Sequence, residues 1–306
     1  MKTIKLPSQR LLYDKVALTL SLNKRRKNSF FSCMVYDQVF KEYGGKVTNN
    51  SNQRYNNNYQ FKIHGDNTAD VSFYPINTKH NFFRIEYNPS KLKKEGRIKL
   101  RKCLIKLLGI DVVKRIYFEA TVTRLDLTLD VFDMEPDLYI HVDRAKQSSI
   151  YPKSSGKPGS QVIGSKRSNC KITMYDKNEL RKKQGLKPIG GNYQRIECCL
   201  RNLQCSMNEL NSDILKHLNK IKFYRKDFFH DARFSKKFLS NAKSHGLNYA
   251  LAKCNRNKRL RYRRHLEDYR TKPINVNKLD FEKAHKRALG SLVHREYQQL
   301  FLDQVA

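Results

Sequence analysis

Thr123-Arg124-Leu125-Asp126-Leu127-Thr128-Leu129-Asp130 is the stretch on which the reading of this chain turns. Strand side chains alternate between faces, so Arg124, Asp126, Thr128 and Asp130 share one face and the three leucines the other. The same alternation recurs in Phe83-Arg84-Ile85-Glu86-Tyr87, in Thr173-Met174-Tyr175-Asp176-Lys177 and in Arg195-Ile196-Glu197-Cys198-Cys199-Leu200-Arg201. Arg84 falls beside Glu86, Tyr175 beside Lys177, and Arg195 beside Glu197 and Arg201. As neighbours in one sheet, these strands put an aliphatic core on one side and arginines, carboxylates and a tyrosine on the other. That is a plausible composition for a phosphodiester site.

The surroundings are strongly basic, with 62 Lys and Arg against 28 Asp and Glu and a net charge of +34 over 306 residues. Such a field attracts polyanions, and nucleic acid is the first to consider. An anionic membrane fits less well, because the bases are spread along the chain rather than gathered on one amphipathic helix. A ribosomal-type packing protein is the plain alternative, yet 39% hydrophobic residues with 17 Tyr and 16 Phe can build a sizeable core. There is no apolar run of about 18 residues, and the start lacks the apolar segment of a signal peptide, so a cytoplasmic protein is expected. The seven cysteines show no C-x-x-C spacing and read as reduced thiols. Cys198, Cys199 and Cys205 invite a zinc reading, but adjacent strand residues point to opposite faces.

Further strands are expected at Val16 to Leu22, Gln60 to His64, Ala69 to Tyr74, Phe118 to Val131 and Gln161 to Gly164. Asn-rich residues 49–58 and Ser/Pro/Gly/Lys-rich residues 148–159 read as loops. Ser90 is expected to cap a helix from Lys91 to Leu108, with Leu100, Leu104, Leu107 and Leu108 in register, and Pro136 to open a second helix. After about residue 205 the periods turn helical. The expected architecture is α+β: an antiparallel sheet with flanking helices over residues 1–205, followed by a mostly helical basic region over 206–306. Within that region a helix-turn-helix, or an ordinary helical hairpin, is expected around Ser235 to Lys253. Arg256 to Arg264 carries the densest basic run, so Arg259, Arg261, Arg263 and Arg264 join Arg84, Arg124, Arg195, Arg201, Lys166 and Arg167 as candidate DNA contacts.

In order and spacing, Phe73-Tyr74-Pro75, Arg84 to Leu92, Thr123 to Asp130, Tyr175-Asp176-Lys177 and Arg195-Ile196-Glu197 resemble the rolling-circle replication initiators of filamentous phages, the gene II type, and related plasmid proteins. The resemblance covers roughly residues 70 to 205. It implies a metal-dependent endonuclease that nicks one strand of a double-stranded origin and joins it to a tyrosine. By that resemblance the nucleophile lies in a Y-x-K motif matched here by Tyr175 and Lys177. The plasmid branch often places a tyrosine shortly after R-x-E; here the first tyrosine beyond Asn202 is Tyr224, the reserve nucleophile. A His-hydrophobe-His metal pair is missing. The implied Mg²⁺ or Mn²⁺ would then rest on Glu86, Asp126, Glu197 and, as fourth choice, Asp130. Partners implied are origin DNA, the nicked single strand, and host helicase and polymerase, in the cytoplasm of a bacterial host.

The residue types suit this chemistry. A phenol of pKa about 10 needs a neighbouring cation or metal to act at pH 7, which Lys177 on the same strand face would supply. A phosphotyrosine conserves the broken diester for later rejoining. Two alternatives stay open: a non-catalytic origin DNA- or RNA-binding protein, and a conjugative relaxase.

Overall fold

The computed structural model describes residues 8–21, 42, 45–47, 54–64, 67–77, 83–152 and 158–289. It is an α+β protein whose strand pairs are antiparallel. Contacts divide the chain into two compact units, one of residues 1–12, 127–200 and 213–280, the other of 13–126, 201–212 and 281–306. This division interleaves along the chain, whereas 1–205 and 206–306 follow the change in local periodicity.

In the unit containing residues 13–126, strands run in the order β2 (Gly45–Val47), β3 (Tyr55–His64), β4 (Asn67–Pro75), β5 (Phe83–Tyr87), β1 (Gln9–Leu20) and β6 (Thr121–Phe132), with β1 and β6 also contributing residues to the other unit. Val16, Leu18, Val71, Phe73, Phe83 and Ile85 are buried, each on an alternating position of its strand. Helix α1 (Lys94–Leu108) buries Leu100, Leu104 and Leu108. Gly109, at φ 76°, then turns the chain into α2 (Ile110–Glu119), using a left-handed conformation that costs glycine little.

Several expectations change here. Ser90 does not cap α1: its hydroxyl donates to Asp14 Oδ1 at 2.8 Å, and a 3₁₀ turn over Pro89–Lys91 precedes the helix. Phe118 lies in α2, so β6 begins three residues later than expected. Tyr55 to Asn58 are strand rather than loop, because pairing with β4 supplies backbone partners and Ser72 donates to the Asn58 side chain at 2.8 Å. Residues 49–53 of that expected loop lie outside the described residues, as does Cys33.

In the unit containing residues 127–200, the order is β6, β11 (Tyr193–Arg201), β10 (Cys170–Asp176), β9 (Pro158–Ile163) and β8 (Ser148–Pro152). The ends of the expected 148–159 loop are thus paired strands, and residues 153–157 lie outside the described residues. No helix opens at Pro136. Asp137 takes φ 61°, and Tyr139–Val142 instead forms β7, paired with β12 (Ile221–Tyr224), which in turn pairs with β13 (Arg270–Thr271). The apolar stripe Leu210, Ile214, Leu218, Ile221 is buried but broken between a 3₁₀ turn, the short α4 (Lys216–Asn219) and β12. The remaining helices are α3 (Lys177–Lys183), α5 (Lys236–His245), α6 (Leu247–Ala252), α7 (Arg256–Glu267) and, in the other unit, α8 (Phe281–Leu289).

An aromatic core of Tyr139, Tyr224, Phe228, Phe234, Phe238 and Tyr262 holds α5, α6 and α7 against the small sheet. Buried amides complete it. Asn248 accepts from Val142 N (3.1 Å) and donates to Val142 O (2.6 Å) and Ala145 O (2.8 Å), satisfying backbone groups that the edge of β7 would leave unpaired.

His141 on β7 is buried, and its Nδ1 has no hydrogen-bond partner. Burial pushes its pKa down to about 4, with Arg263 and Lys222 acting in the same sense and Asp143 and Glu267 opposing. The unfolded chain therefore binds a proton that the folded chain refuses. The stability this histidine contributes is complete above about pH 6.5 and is lost as pH falls through 4. Urea midpoints measured across that range should fall more steeply for wild type than for His141→Gln.

Candidate functional site

The two units each carry part of the charged strand faces. In the unit containing residues 127–200, Tyr175 stands opposite Arg195, and Thr173 opposite Glu197, in the β10–β11 register. The Tyr175 hydroxyl donates to Glu197 Oε1 at 2.7 Å. Burial, then the Glu197 carboxylate, raises the phenol's pKa well above its ordinary value, with Arg195 opposing. Arg195 is turned to Asp130, which it binds through Nε (2.7 Å) and Nη2 (3.1 Å), while Arg10 reaches the same carboxylate at 2.9 Å. Asp130 is fully buried and Arg195 nearly so. The Asp130 carboxylate, though desolvation works against it, raises the Arg195 pKa further above its ordinary range.

Lys177 is not on the strand. Asp176 ends β10 and caps α3, its carboxylate accepting from Asn178 N (2.9 Å) and Glu179 N (3.2 Å), so Lys177 is the first residue of the helix. From there its ammonium lies 5.8 Å from the centroid of the Tyr175 ring. Tyr224, the reserve nucleophile, is buried in the aromatic core, with its hydroxyl 3.3 Å from Glu267 Oε1. A phosphodiester cannot reach it without unpacking that core.

In the other unit, Glu86 accepts from Lys15 Nζ at 2.6 Å and from Arg84, and Arg124 Nη1 lies 4.0 Å from it. Burial acts to raise the Glu86 pKa, but Arg84 and Lys15 together outweigh it and hold the carboxyl at about 2. Asp126 is bound by Arg124 through Nε (2.9 Å) and Nη2 (2.7 Å). Lys15 had no alternation signal in the sequence, since its neighbours are the half-buried Asp14 and a wholly buried run from Val16 to Leu20; the β1–β5 register, with Ala17 opposite Glu86, brings it to this face.

A Mg²⁺ or Mn²⁺ centre needs several hard oxygen ligands at one point. Glu86, Asp126, Asp130 and Glu197 each face a cation or a phenol, and among the described residues no three His, Cys, Asp or Glu side chains gather to hold a metal. As placed, Glu86, Asp126 and Asp130 form ion pairs and Glu197 accepts from a phenol, an arrangement that does not fit a divalent cation.

The basic run resolves into two kinds of arginine. On α7, Arg259 donates to Leu251 O (2.9 Å) and Cys254 O (2.8 Å), satisfying carbonyls at the end of α6. Arg263 is half-buried, with its Nε buried and its Nη2 3.8 Å from Asp143. Arg261 and Arg264 are exposed. Arg201 ends β11, and Lys166 and Arg167 lie exposed in the turn between β9 and β10.

Comparison with known proteins gives a sequence likeness and a weak structural one. No family model matches the chain. It is similar to replication initiation proteins of Staphylococcus aureus: one is 33% identical over 99 residues, covering 32% of this chain and 29% of the relative, and another 29% identical over 120 residues, covering 39% and 35%. The chain thus matches about a third of these relatives' length. The solved structure of a rolling circle replication initiator protein from Geobacillus stearothermophilus aligns over 89% of this chain and all of its own, with a TM-score of 0.42 and 14% identity. Among the described residues no helix is long and apolar enough to cross a membrane.

Removing one member of a buried ion pair strands the other. Asp130→Asn should therefore destabilise the protein by about 3–5 kcal/mol, read as a lower urea midpoint. Asp126→Asn, at a pair that keeps some contact with water (side chains 29% and 14% exposed), should lower the midpoint less than Asp130→Asn does.

Proposed function

We propose that the chain initiates rolling-circle DNA replication by nicking one strand of a double-stranded origin, with Tyr175 as nucleophile. The observation that carries this reading is the Tyr175–Glu197 hydrogen bond of 2.7 Å, in a chain of charge +34 that is similar in sequence to replication initiation proteins. A phenol whose pKa lies above its ordinary value is neutral at pH 7, so it needs a base in contact as it attacks. Glu197 is in contact. As the phenolic oxygen bonds to phosphorus, its proton passes to Glu197. The bond from phosphorus to the 3′ oxygen breaks, and that oxygen takes a proton from solvent. The products are a 5′-phosphotyrosine and a 3′-hydroxyl able to prime synthesis; the reverse reaction rejoins the strand.

Lys177 supplies positive charge beside the phenol, where negative charge grows on the phosphoryl oxygens. Arg195 acts differently from a phosphate anchor, since its Nε and Nη2 are engaged by the buried Asp130 carboxylate; it positions β11 and so Glu197. Arg261, Arg264, Lys166 and Arg167 are the exposed cations proposed to hold the DNA backbone. The protein would work in the cytoplasm of a bacterial host, with the host's helicase and polymerase downstream.

A second reading, a protein that binds the origin without cutting it, is favoured by the commitment of every candidate metal ligand to an ion pair or a phenol. A conjugative relaxase is the third. Incubation of full-length protein with supercoiled plasmid carrying the replicon's own origin, with Mg²⁺ or Mn²⁺ present, separates nicking from binding alone. Nicked, protein-linked product is expected from wild type, with at least a hundredfold slower appearance for Glu197→Gln and loss of the adduct at residue 175 for Tyr175→Phe. Origin binding without any nicking would leave the binding-only reading.

Each phosphate contact removed lowers the slope of log K against log salt by about 0.9. Arg261→Ala and Arg264→Ala should each weaken origin binding with a shallower salt slope. Arg259→Ala should instead lower the melting temperature, because it removes the cap of α6.

A further inference from the structure

We infer that Tyr151 is a second strand-accepting nucleophile, in a basic cleft on the same sheet face as Tyr175; the inference rests on the nicking activity proposed above. In the β8–β9 register Tyr151 stands opposite Ser160 and Ser149 opposite Val162. In the β9–β10 register Ser160 stands opposite Tyr175 and Val162 opposite Thr173. Residues opposite one another in antiparallel strands share a face, so Tyr151, Ser160, Tyr175 and Arg195 make one cross-strand row. Tyr151 and Tyr175 are two strands apart, roughly 10 Å at the strand spacing.

The two phenols differ in exposure. Tyr151 is 60% exposed, whereas Tyr175 is half-buried and held by Glu197. Tyr151 lines an open cleft of about 500 Å³ together with Lys166, Lys171, His245 and Tyr249. The cleft wall is fixed rather than incidental. Ser148 Oγ donates to His245 O (2.6 Å) and accepts from Tyr249 N (2.9 Å), which ties the α5–α6 turn to β8. Gly246 permits that approach: it has φ 88°, and a Cβ there would stand 2.9 Å from Ser148 Oγ. Tyr249 packs on His245 with ring centroids 4.5 Å apart, and the Lys253 ammonium lies 5.2 Å from the Tyr249 ring centroid.

Such a cleft presents two lysines to a phosphodiester, aromatic rings on which an unpaired base can stack, and an accessible phenol. The step balances as it does at Tyr175. The Tyr151 oxygen bonds to phosphorus, the phenolic proton passes to solvent, and the bond from phosphorus to the leaving oxygen breaks. That oxygen leaves as the 3′-hydroxyl of a DNA end in a fresh cut, or as the Tyr175 phenol if the strand is handed over. Two nucleophiles on one face let the second cut begin while the first end is still held.

The test maps the covalent link. Full-length wild type, Tyr151→Phe, Tyr175→Phe and the double variant are incubated with the origin plasmid, digested, and read by mass spectrometry for nucleotide-bearing tyrosine peptides. Adducts on both tyrosines are expected in wild type, on Tyr151 alone in Tyr175→Phe, on Tyr175 alone in Tyr151→Phe, and on neither in the double variant. Rejoined circles should fall at least tenfold in Tyr151→Phe. A wild-type adduct on Tyr175 that Tyr175→Phe abolishes completely, with full rejoining by Tyr151→Phe, overturns the second nucleophile and leaves the nicking reading standing. An adduct only on Tyr151 supports this inference and removes Tyr175 from its role; no adduct in wild type overturns both. Unchanged urea midpoints, expected at so exposed a position, separate chemistry from folding.

Discussion

One buried carboxylate, Asp130, ties the first and last of the charged strands in its unit together. It receives Arg195 from β11 and Arg10 from β1, and with no exposure to water it would be strongly unfavourable without them. The pairing fixes β11 beside β6. Phe132 stacked on Tyr193 at 4.6 Å and the Asp133 N to Asn192 O hydrogen bond of 2.7 Å close the strand ends. Because Glu197 lies two residues from Arg195 on the same face, its place beside Tyr175 follows from the same register. A buried ion pair thus sets the register that brings the Tyr175 hydroxyl to Glu197.

The same division runs through the basic charges. A net charge of +34 works against a compact state, and the structure uses part of that charge internally. Arg259 satisfies carbonyls, Arg195 neutralises Asp130, and Arg84 with Lys15 neutralises Glu86. Such arginines are held by geometry and are poor ligands for a passing phosphate. Arg261 and Arg264, on the same helix as Arg259, are exposed to solvent instead. Counting the basic run gave its charge but could not sort its members, since burial depends on which helix face meets the aromatic core.

The strands with strict alternation were legible before the structure, because a period of two is a local property of the backbone. β5, β6, β10 and β11 all fall where their apolar residues place them. The failures came where distant segments compete with local preference. Asn-rich residues 55–58 became strand by pairing with β4, the Pro136 region became a turn before β7 because β12 pairs with it, and the apolar period of residues 210–221 reflects burial without a continuous helix. Strand parity puts Lys177 on the Tyr175 face, but the Asp176 cap starts a helix there, from which its ammonium lies 5.8 Å from the Tyr175 ring centroid.

By itself the sequence determined the α+β class, the polyanion-seeking charge and the strands that carry Glu86, Asp126, Tyr175 and Glu197, since alternation and composition are properties of neighbouring residues. The tertiary structure decided which carboxylate meets a phenol and which meets a guanidinium. It also decided that Tyr224 is buried while Tyr151 opens to solvent. Those outcomes depend on register and burial, which residues far apart in the chain set together, and no local pattern encodes them.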